Sequence, residues 1–222
     1  CGTSSTIDVN LTLHAGANLK SFYGLPEDVA VASVMAPLGD NVVGLITEGG
    51  SCAQQPTGWF GFQCNLVPEK GYWIIVQSDA QLDLLDVVPV DTDLVYTLHS
   101  GANLISFPSA GSVFVPDAIP GDIEDSVVGI ITEGGSCAQN ENGWFGFQCN
   151  FYGGKGYWVI TTADVSFSYD LSTLTRTTPY ELIDLTYPEG YEVLQSTRQA
   201  FYFVEDINLG GDKISNKDWI LA

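Results

Sequence analysis

Four cysteines at matching spacings are the residues of this chain most able to do chemistry. Cys52 and Cys64 form one pair, and Cys137 and Cys149 repeat the same spacing. Zinc is the competing explanation, but a structural zinc site needs four ligands, and each pair has a single histidine in its repeat. The spacing predicts two local disulfides, Cys52–Cys64 and Cys137–Cys149. Because disulfides persist outside the reducing cytosol, we expect a secreted or cell-surface protein.

A fifth cysteine, Cys1, is the first residue of the chain. The start Cys-Gly-Thr-Ser-Ser resembles the mature start of a bacterial lipoprotein, whose first cysteine carries a lipid. An intermolecular disulfide and a trimmed sequence are the two other interpretations. No apolar run in the sequence is long enough to span a membrane, so we expect membrane attachment only through a lipid on Cys1.

Histidine and glutamate occur at duplicated positions, which bears on acid–base chemistry. His14 and His99 each follow a predicted strand, and Glu48 and Glu133 each lie in the sequence Thr-Glu-Gly-Gly-Ser-Cys. A catalytic triad needs a nucleophile on a sharp turn, and neither histidine has a serine in such a motif. We therefore expect structural histidines and no enzymatic activity. The glutamate loop is interpreted as a tight turn, with ligand binding as the alternative.

The run Gly-Trp-Phe-Gly-Phe also occurs twice and supplies a candidate binding surface. Its aromatic residues are Trp59, Phe60 and Phe62 in the first copy and Trp144, Phe145 and Phe147 in the second. Aromatic rings can stack on sugars or fill a protein interface, and packing inside a small module explains the same residues. All three interpretations stay open at the level of sequence.

Oxygen-bearing side chains alternate near the C-terminal end in a pattern typical of a calcium loop. Asp206, Asn208, Asp212 and Asp218 are the candidate ligands, and no other cofactor is expected. The spacing departs from an EF-hand because Gly210 stands at the fifth position of the loop. A hairpin turn is the alternative explanation of these residues.

These candidate residues sit on a tandem duplication. Residues 11–77 recur at 96–162 without a gap. Alternation of apolar residues predicts a strand over residues 5–13, with Ile7, Val9, Leu11 and Leu13 on one face. Residues 81–93 are predicted to end the first unit as a linker, because Pro89 disfavours a central strand. Residues 112–124 are predicted to form a loop.

The predicted fold class is all-β. We expect tandem, disulfide-stapled β-sandwich or barrel-like repeats, followed by a smaller C-terminal β-segment. The predicted domains are 1–90, a first repeat with an N-terminal strand arm, 91–171, a second repeat, and 172–222, the C-terminal segment.

Two sequence patterns resemble known modules. Gly-x-Asn-Leu-x-Ser-Phe, followed about 50 residues later by Lys-Gly-Tyr-Trp, resembles a small repeated β-module of secreted and surface proteins in bacteria and archaea. Ala17 and Ala102 replace the tryptophan usual there. The C-terminal Gln-Ala-Phe-Tyr-Phe and Asp-Trp-Ile resemble a module of large secreted proteins of marine bacteria. That resemblance implies further strand sequence, supplied by residues missing from this sequence or by another chain.

Charge limits the partners. The chain carries 27 acidic and 7 basic residues, a formal charge of −20, which repels nucleic acid. With a tandem repeat and no catalytic motif, we expect an extracellular structural protein that binds copies of itself in a surface assembly or filament. Strand exchange through Ile7, Val9, Leu11 and Leu13 or stacking of modules would join the copies. The alternative is a carbohydrate-binding or adhesive module.

Overall fold

The computed structural model describes residues 6–175 and, for the backbone only, residues 208–209 and 212–213. Residues 1–180 form one compact unit that contains both repeats, and residues 181–222 form a second unit. Among the described residues, no helix has the length and apolar character that crossing a membrane requires.

The first repeat consists of two antiparallel sheets that share one core. Its strands are β1 (Ile7–Leu13), β2 (Gly16–Lys20), β3 (Gly24–Leu25), β4 (Val42–Thr47), β5 (Gly50–Gln55), β6 (Gly58–Phe62), β7 (Tyr72–Val76) and β8 (Ala80–Pro89), with a helix α1 (Val31–Val34) and a 3-10 helix (Ala36–Asn41) between β3 and β4. The five-stranded sheet has the order β2-β7-β4-β5-β6, and the three-stranded sheet has the order β1-β8-β3. Apolar side chains from both sheets form a single cluster, which makes the repeat a small sandwich.

The second repeat reproduces the large sheet and shortens the small one. Its elements are β9 (Tyr96–Leu98), β10 (Gly101–Ile105), β11 (Ser112–Phe114), α2 (Val115–Ala118), a 3-10 helix (Glu124–Ser126), β12 (Val127–Thr132), β13 (Gly135–Asn140), β14 (Gly143–Phe147), β15 (Asn150–Tyr152), β16 (Tyr157–Thr161) and β17 (Val165–Phe167). The large sheet has the order β10-β16-β12-β13-β14. The pair β9–β17 is the counterpart of the pair β1–β8 in the first repeat. The predicted all-β fold is confirmed, and none of the described sheets closes into a barrel.

A buried asparagine shapes the turn that joins the first two strands of each repeat. Asn18 is fully buried, accepts a hydrogen bond from the His14 N–H at 2.8 Å and donates one to the His14 carbonyl at 2.8 Å. Asn103 makes the same bonds with His99. Gly16 and its counterpart in the second repeat have positive φ, which a side chain would disfavour. This Gly-Ala-Asn turn therefore fixes where each histidine leaves its strand.

Both disulfides form as predicted. Cys52 on β5 is buried and bonds to Cys64, which follows β6, and Cys137 bonds to Cys149 at the equivalent place. Each bond ties the outer hairpin of the large sheet to the chain that leaves it. Two disulfides are typical of an oxidising environment outside the cytosol.

Two predictions about stretches that contain proline were wrong. Residues 81–93, predicted to be a linker, contain nearly all of β8, the central strand of the small sheet of the first repeat. Pro89 is tolerated because it is the last residue of β8. Residues 112–124, predicted to be a loop, contain β11 and α2, and Pro116 lies in the first turn of α2, where a proline's missing N–H has no partner to lose.

The N-terminal strand proposed for exchange lies in its own repeat. β1 pairs with β8 from Leu13↔Ala80 to Ile7↔Val87. Val9, Leu11 and Leu13 are buried in the first core, because the alternation that predicted the strand turns them all to one side. Donating β1 to another copy would open that core, so the structure does not favour exchange of this strand.

Removing a disulfide should destabilise its own repeat. For Cys52→Ala/Cys64→Ala we expect a loss of about 3 kcal/mol in the free energy of unfolding, because a short closed loop no longer restricts the unfolded chain. Urea denaturation followed by circular dichroism measures it, and Cys137→Ala/Cys149→Ala is the matched variant. Equal midpoints for oxidised wild-type protein and both variants would contradict this expectation.

Candidate functional site

The two repeats meet where each covers the free edge of the other's large sheet. β2 is an edge strand, and its open side faces the segment before β16. The Gly156 N–H donates to the Leu19 carbonyl at 3.2 Å, and the Ser21 N–H donates to the Gly154 carbonyl at 3.1 Å. The Ser21 hydroxyl donates to the Lys155 carbonyl at 2.6 Å. The second repeat thus satisfies backbone groups that β2 would otherwise leave exposed.

The same contacts recur with the repeats exchanged. The Gly71 N–H donates to the Leu104 carbonyl at 3.2 Å, and the Ser106 N–H donates to the Glu69 carbonyl at 3.0 Å. The Ser106 hydroxyl donates to the Pro68 carbonyl at 2.6 Å. The interface is therefore reciprocal, as in a two-fold dimer, although both halves belong to one chain.

Glycine is required where the backbones of the two repeats approach each other. A Cβ on Gly71 would lie 2.8 Å from the Ile105 carbonyl oxygen, and a Cβ on Gly156 would lie 2.8 Å from that of Lys20. Backbone atoms cannot yield as a flexible side chain can. The repeated Lys-Gly-Tyr-Trp sequence is explained in part by this close approach.

A glutamate from the opposite repeat completes each half of the interface. Glu133, in the turn between β12 and β13, accepts a hydrogen bond from the Leu19 N–H at 3.0 Å, and its other oxygen lies 2.5 Å from His14 Nε2. Glu48 accepts from the Leu104 N–H at 2.9 Å and lies 2.6 Å from His99 Nε2. We call His14, Glu133 and Leu19 the first clamp, and their counterparts the second clamp.

The interface therefore gives the Thr-Glu-Gly-Gly turns a partner that the sequence did not reveal. Each turn was interpreted as a tight turn or a ligand-binding loop. Gly49 and Gly134 have positive φ, as a tight turn requires, while the glutamates bind the backbone and histidine of the other repeat. The only signal in the sequence is that histidine and glutamate keep the same spacing within each repeat, His14 to Glu48 and His99 to Glu133.

Both histidines are held between oxygen atoms. His14 Nδ1 lies 2.8 Å from the Ala15 carbonyl, and His99 Nδ1 lies 2.8 Å from the Ser100 carbonyl. Burial alone would lower the pKa of His14, but the hydrogen bonds to Glu133 and the Ala15 carbonyl outweigh it, so its pKa is raised. The pKa of His99 is raised by its hydrogen bonds to the Ser100 carbonyl and to Glu48.

Lysines break the symmetry of the two clamps. Lys20 faces Lys155 beside the first clamp, whereas Ile105 occupies the position of Lys20 beside the second clamp. Burial and the charge of Lys20 lower the pKa of Lys155 to about 8. Burial also lowers the pKa of Lys20. The first clamp thus has a pair of interacting lysines beside it, whereas, among the described residues, the second clamp has only Lys70.

A cavity of about 100 Å³ lies beside the second clamp. Its lining includes Glu48, Glu69, Lys70 and Tyr96, and one oxygen of the Glu69 carboxylate is buried without a hydrogen-bond partner. Pockets for organic ligands usually measure about 300 Å³ or more. A few water molecules fit this space and would satisfy the carboxylate.

Comparison with protein-family models, curated proteins and solved structures found no match to this chain. Its function is therefore argued from the geometry of its surfaces.

The residues of the predicted aromatic surface point to opposite sides of the sheet, because side chains alternate along each strand. On β6, Trp59 turns inward and is half-buried against the first core, while Phe60 points outward and is 55 % exposed. Trp144 also packs against its core and donates its indole N–H to Glu124 Oε1 at 2.8 Å. Phe145 is half-buried. The tryptophans therefore do not form an open platform.

Phe62 is the most exposed large apolar side chain in the described part of the chain, at 74 %. It belongs to two rows that run across the outer side of the large sheet. Strand register places Ile75, Gly44, Ala53 and Phe60 in one row, and Trp73, Ile46, Ser51 and Phe62 in the other. We call the side chains of these two rows the outer face.

The equivalent face of the second repeat is less open. Its rows contain the same residue types in the same register. Ile131 is only 8 % exposed, whereas its counterpart Ile46 is 46 % exposed. Phe147 on the same face remains 53 % exposed, so the difference between the two faces lies mainly at Ile131.

The remaining predicted site residues lie largely outside the described residues. Cys1, Asp206 and Asp218 are among them. Asn208 and Asp212 each begin one of two short paired strands, β18 (Asn208–Leu209) and β19 (Asp212–Lys213). Within the described residues, no group of three or more histidine, cysteine or acidic side chains could hold a metal ion. The calcium loop stays a prediction.

Removing a clamp carboxylate should weaken the interface. For Glu133→Ala we expect a loss of about 2 kcal/mol in the free energy of unfolding, because the Leu19 N–H and His14 lose a charged acceptor. Glu48→Ala should act in the same direction and more weakly, since Glu48 is more exposed. Urea denaturation measures both. Glu141→Ala, at an exposed turn, is the control and should leave the midpoint unchanged.

Proposed function

We propose that this chain is a non-enzymatic structural subunit of an extracellular assembly, whose copies associate through the outer face of the first repeat. The observation that carries the proposal is an open, apolar sheet surface that ends in an unprotected edge strand. Ile46, Phe60 and Phe62 are exposed there in one continuous patch. Exposed apolar patches of this kind commonly mark contacts between proteins.

Charge favours a second copy as the partner. A chain with a net charge of −20 repels its own copies over most of its surface. The strands β4, β5, β6 and β7 contain no charged residue. The outer face is therefore where two copies can approach without bringing like charges together.

The edge of β6 offers a second mode of contact. β6 pairs with β5 on one side, and no described strand pairs with its other side. Soluble proteins usually protect such an edge with lysine, proline or a bulge, and Gly-Trp-Phe-Gly-Phe contains neither lysine nor proline. Pairing of β6 with a strand of another copy would extend the sheet and place the two outer faces side by side.

Sugar binding by Phe60 and Phe62 is the competing function. Two exposed rings on one strand can stack on pyranose rings. Recognition of sugars also requires several polar groups around the rings, and the rows of the outer face contribute only the Ser51 hydroxyl and the Trp73 indole N–H. The geometry therefore favours a protein partner.

Placing a charge on the outer face should abolish association. For Phe62→Lys we expect a loss of assembly, because a desolvated ammonium group would have to be buried in an apolar contact. Sedimentation equilibrium over a wide range of concentrations, with electron microscopy of concentrated samples, measures association. Leu85→Lys is the matched control, since Leu85 is 66 % exposed on β8, away from the outer face.

Three outcomes are informative. Association of wild type and Leu85→Lys but not Phe62→Lys supports the proposal. A wild-type protein that stays monomeric at every concentration overturns it. Retention on a glycan array that disappears in Phe62→Lys, without any self-association, establishes the sugar-binding alternative.

A further inference from the structure

Each histidine of the two clamps faces oxygen atoms through both ring nitrogens. Nε2 meets the carboxylate of the opposite repeat, and Nδ1 meets a backbone carbonyl of its own repeat. Carbonyl and carboxylate oxygens only accept hydrogen bonds. Neutral imidazole has one N–H and can satisfy only one of these acceptors, whereas imidazolium satisfies both.

We propose that the interface between the repeats is a pH-dependent latch, which two imidazolium–carboxylate pairs hold closed and which loosens when the histidines lose their protons. The latch involves the interface alone and is independent of the proposed assembly through the outer face. Its basis is the duplicated geometry, in which two separate histidines have the same pair of acceptors.

The latch couples a proton to backbone contacts between the repeats. In the first clamp one carboxylate binds both His14 and the Leu19 N–H, and β2 then accepts the Gly156 N–H. When His14 loses a proton, either the Glu133 carboxylate or the Ala15 carbonyl loses the hydrogen bond that His14 donated to it. The hydrogen bond that is lost belongs to the clamp that aligns β2 with the segment before β16, so the interface between the repeats is weakened.

The charges around each histidine set the direction of the effect. His14 is influenced by the charges of Glu133 and Lys20, and Lys155 also interacts with the charge of Glu133. Asp79 accepts a hydrogen bond from the Ala15 N–H next to His14.

The second clamp has a more acidic environment. His99 faces Glu48 and Asp164, and the Asp164 carboxylate accepts a hydrogen bond from the Ser100 N–H. Lys70 approaches the Glu48 carbonyl at 3.4 Å. With Ile105 at the position of Lys20, the second clamp is the simpler of the two to study.

The sign of the pH dependence follows from the raised pKa of both histidines. A group whose pKa is higher in the folded protein adds stability that is complete below its ordinary value, 6.5 here. That stability is lost as the pH rises through the raised folded value. The latch is therefore closed in mildly acidic solution and weaker in alkaline solution.

Lys155 opposes this trend at higher pH. Its pKa falls from 10.5 to about 8 on folding, so its contribution to stability rises between these two values. The histidine effect is therefore cleanest below about pH 8, and at the second clamp, where no lysine corresponds to Lys20.

NMR spectroscopy of the full, isotope-labelled chain tests the latch. The chain contains only two histidines, so two ring signals report both clamps during a pH titration. Hydrogen exchange of the Leu19 and Leu104 amides reports opening of the interface, with the buried Ile74 amide as an internal reference. The variants His14→Gln and His99→Gln assign the signals and remove one clamp each.

We expect both histidines to titrate above 6.5. The protection of the Leu104 amide, relative to Ile74, should fall by about 2- to 5-fold as the pH rises from about 6 to about 8, the range expected for a partly exposed ion pair. His99→Gln should abolish that pH dependence at Leu104 and preserve it at Leu19.

Histidines that titrate at or below 6.5 would overturn the proposal. So would a pH profile of Leu104 protection that is the same in wild type and His99→Gln, because a merely structural histidine predicts a constant loss of protection. If either variant fails to fold, the titration of the wild-type ring signals decides the question alone.

Discussion

The unsatisfied backbone edge of β2, and its twin β10, is the constraint on which this molecule depends. An edge strand exposes N–H and C=O groups that another chain can pair with. Here the segment before β7 or β16 of the opposite repeat covers that edge, and a glutamate caps the remaining N–H. The glycine next to each lysine lets the backbones approach, and the asparagine turn places the histidine beside the glutamate. Much of what the two repeats share thus serves their mutual contact.

The sequence predicted features whose causes are local. Alternating apolar residues predicted β1, and the equal cysteine spacing predicted both disulfides. Composition gave a wrong prediction where a polar or proline-containing stretch is stabilised by strands that are distant in the sequence. β8 is acidic on its exposed side and ends in Pro89, yet it is a central strand because β1 and β3 supply partners on both sides.

The interface could not be found in the same way, because its partners are far apart in the chain. Glu133 and His14 are 119 positions apart, and nothing in either local sequence names the other. The aromatic run shows a related limit. Its composition predicted an aromatic surface, but only the strand register separates the inward Trp59 from the outward Phe60 and Phe62.

Reciprocity also limits how such a chain can grow. A self-complementary contact between two repeats uses the same surface on both and leaves no free copy of it. The chain is in effect a homodimer whose subunits are tethered, so the interface forms at the high effective concentration that a short connection provides. A third module would find neither β2 nor β10 free to dock on unless a fourth module accompanied it. Repeats with this interface are therefore expected to accumulate in pairs.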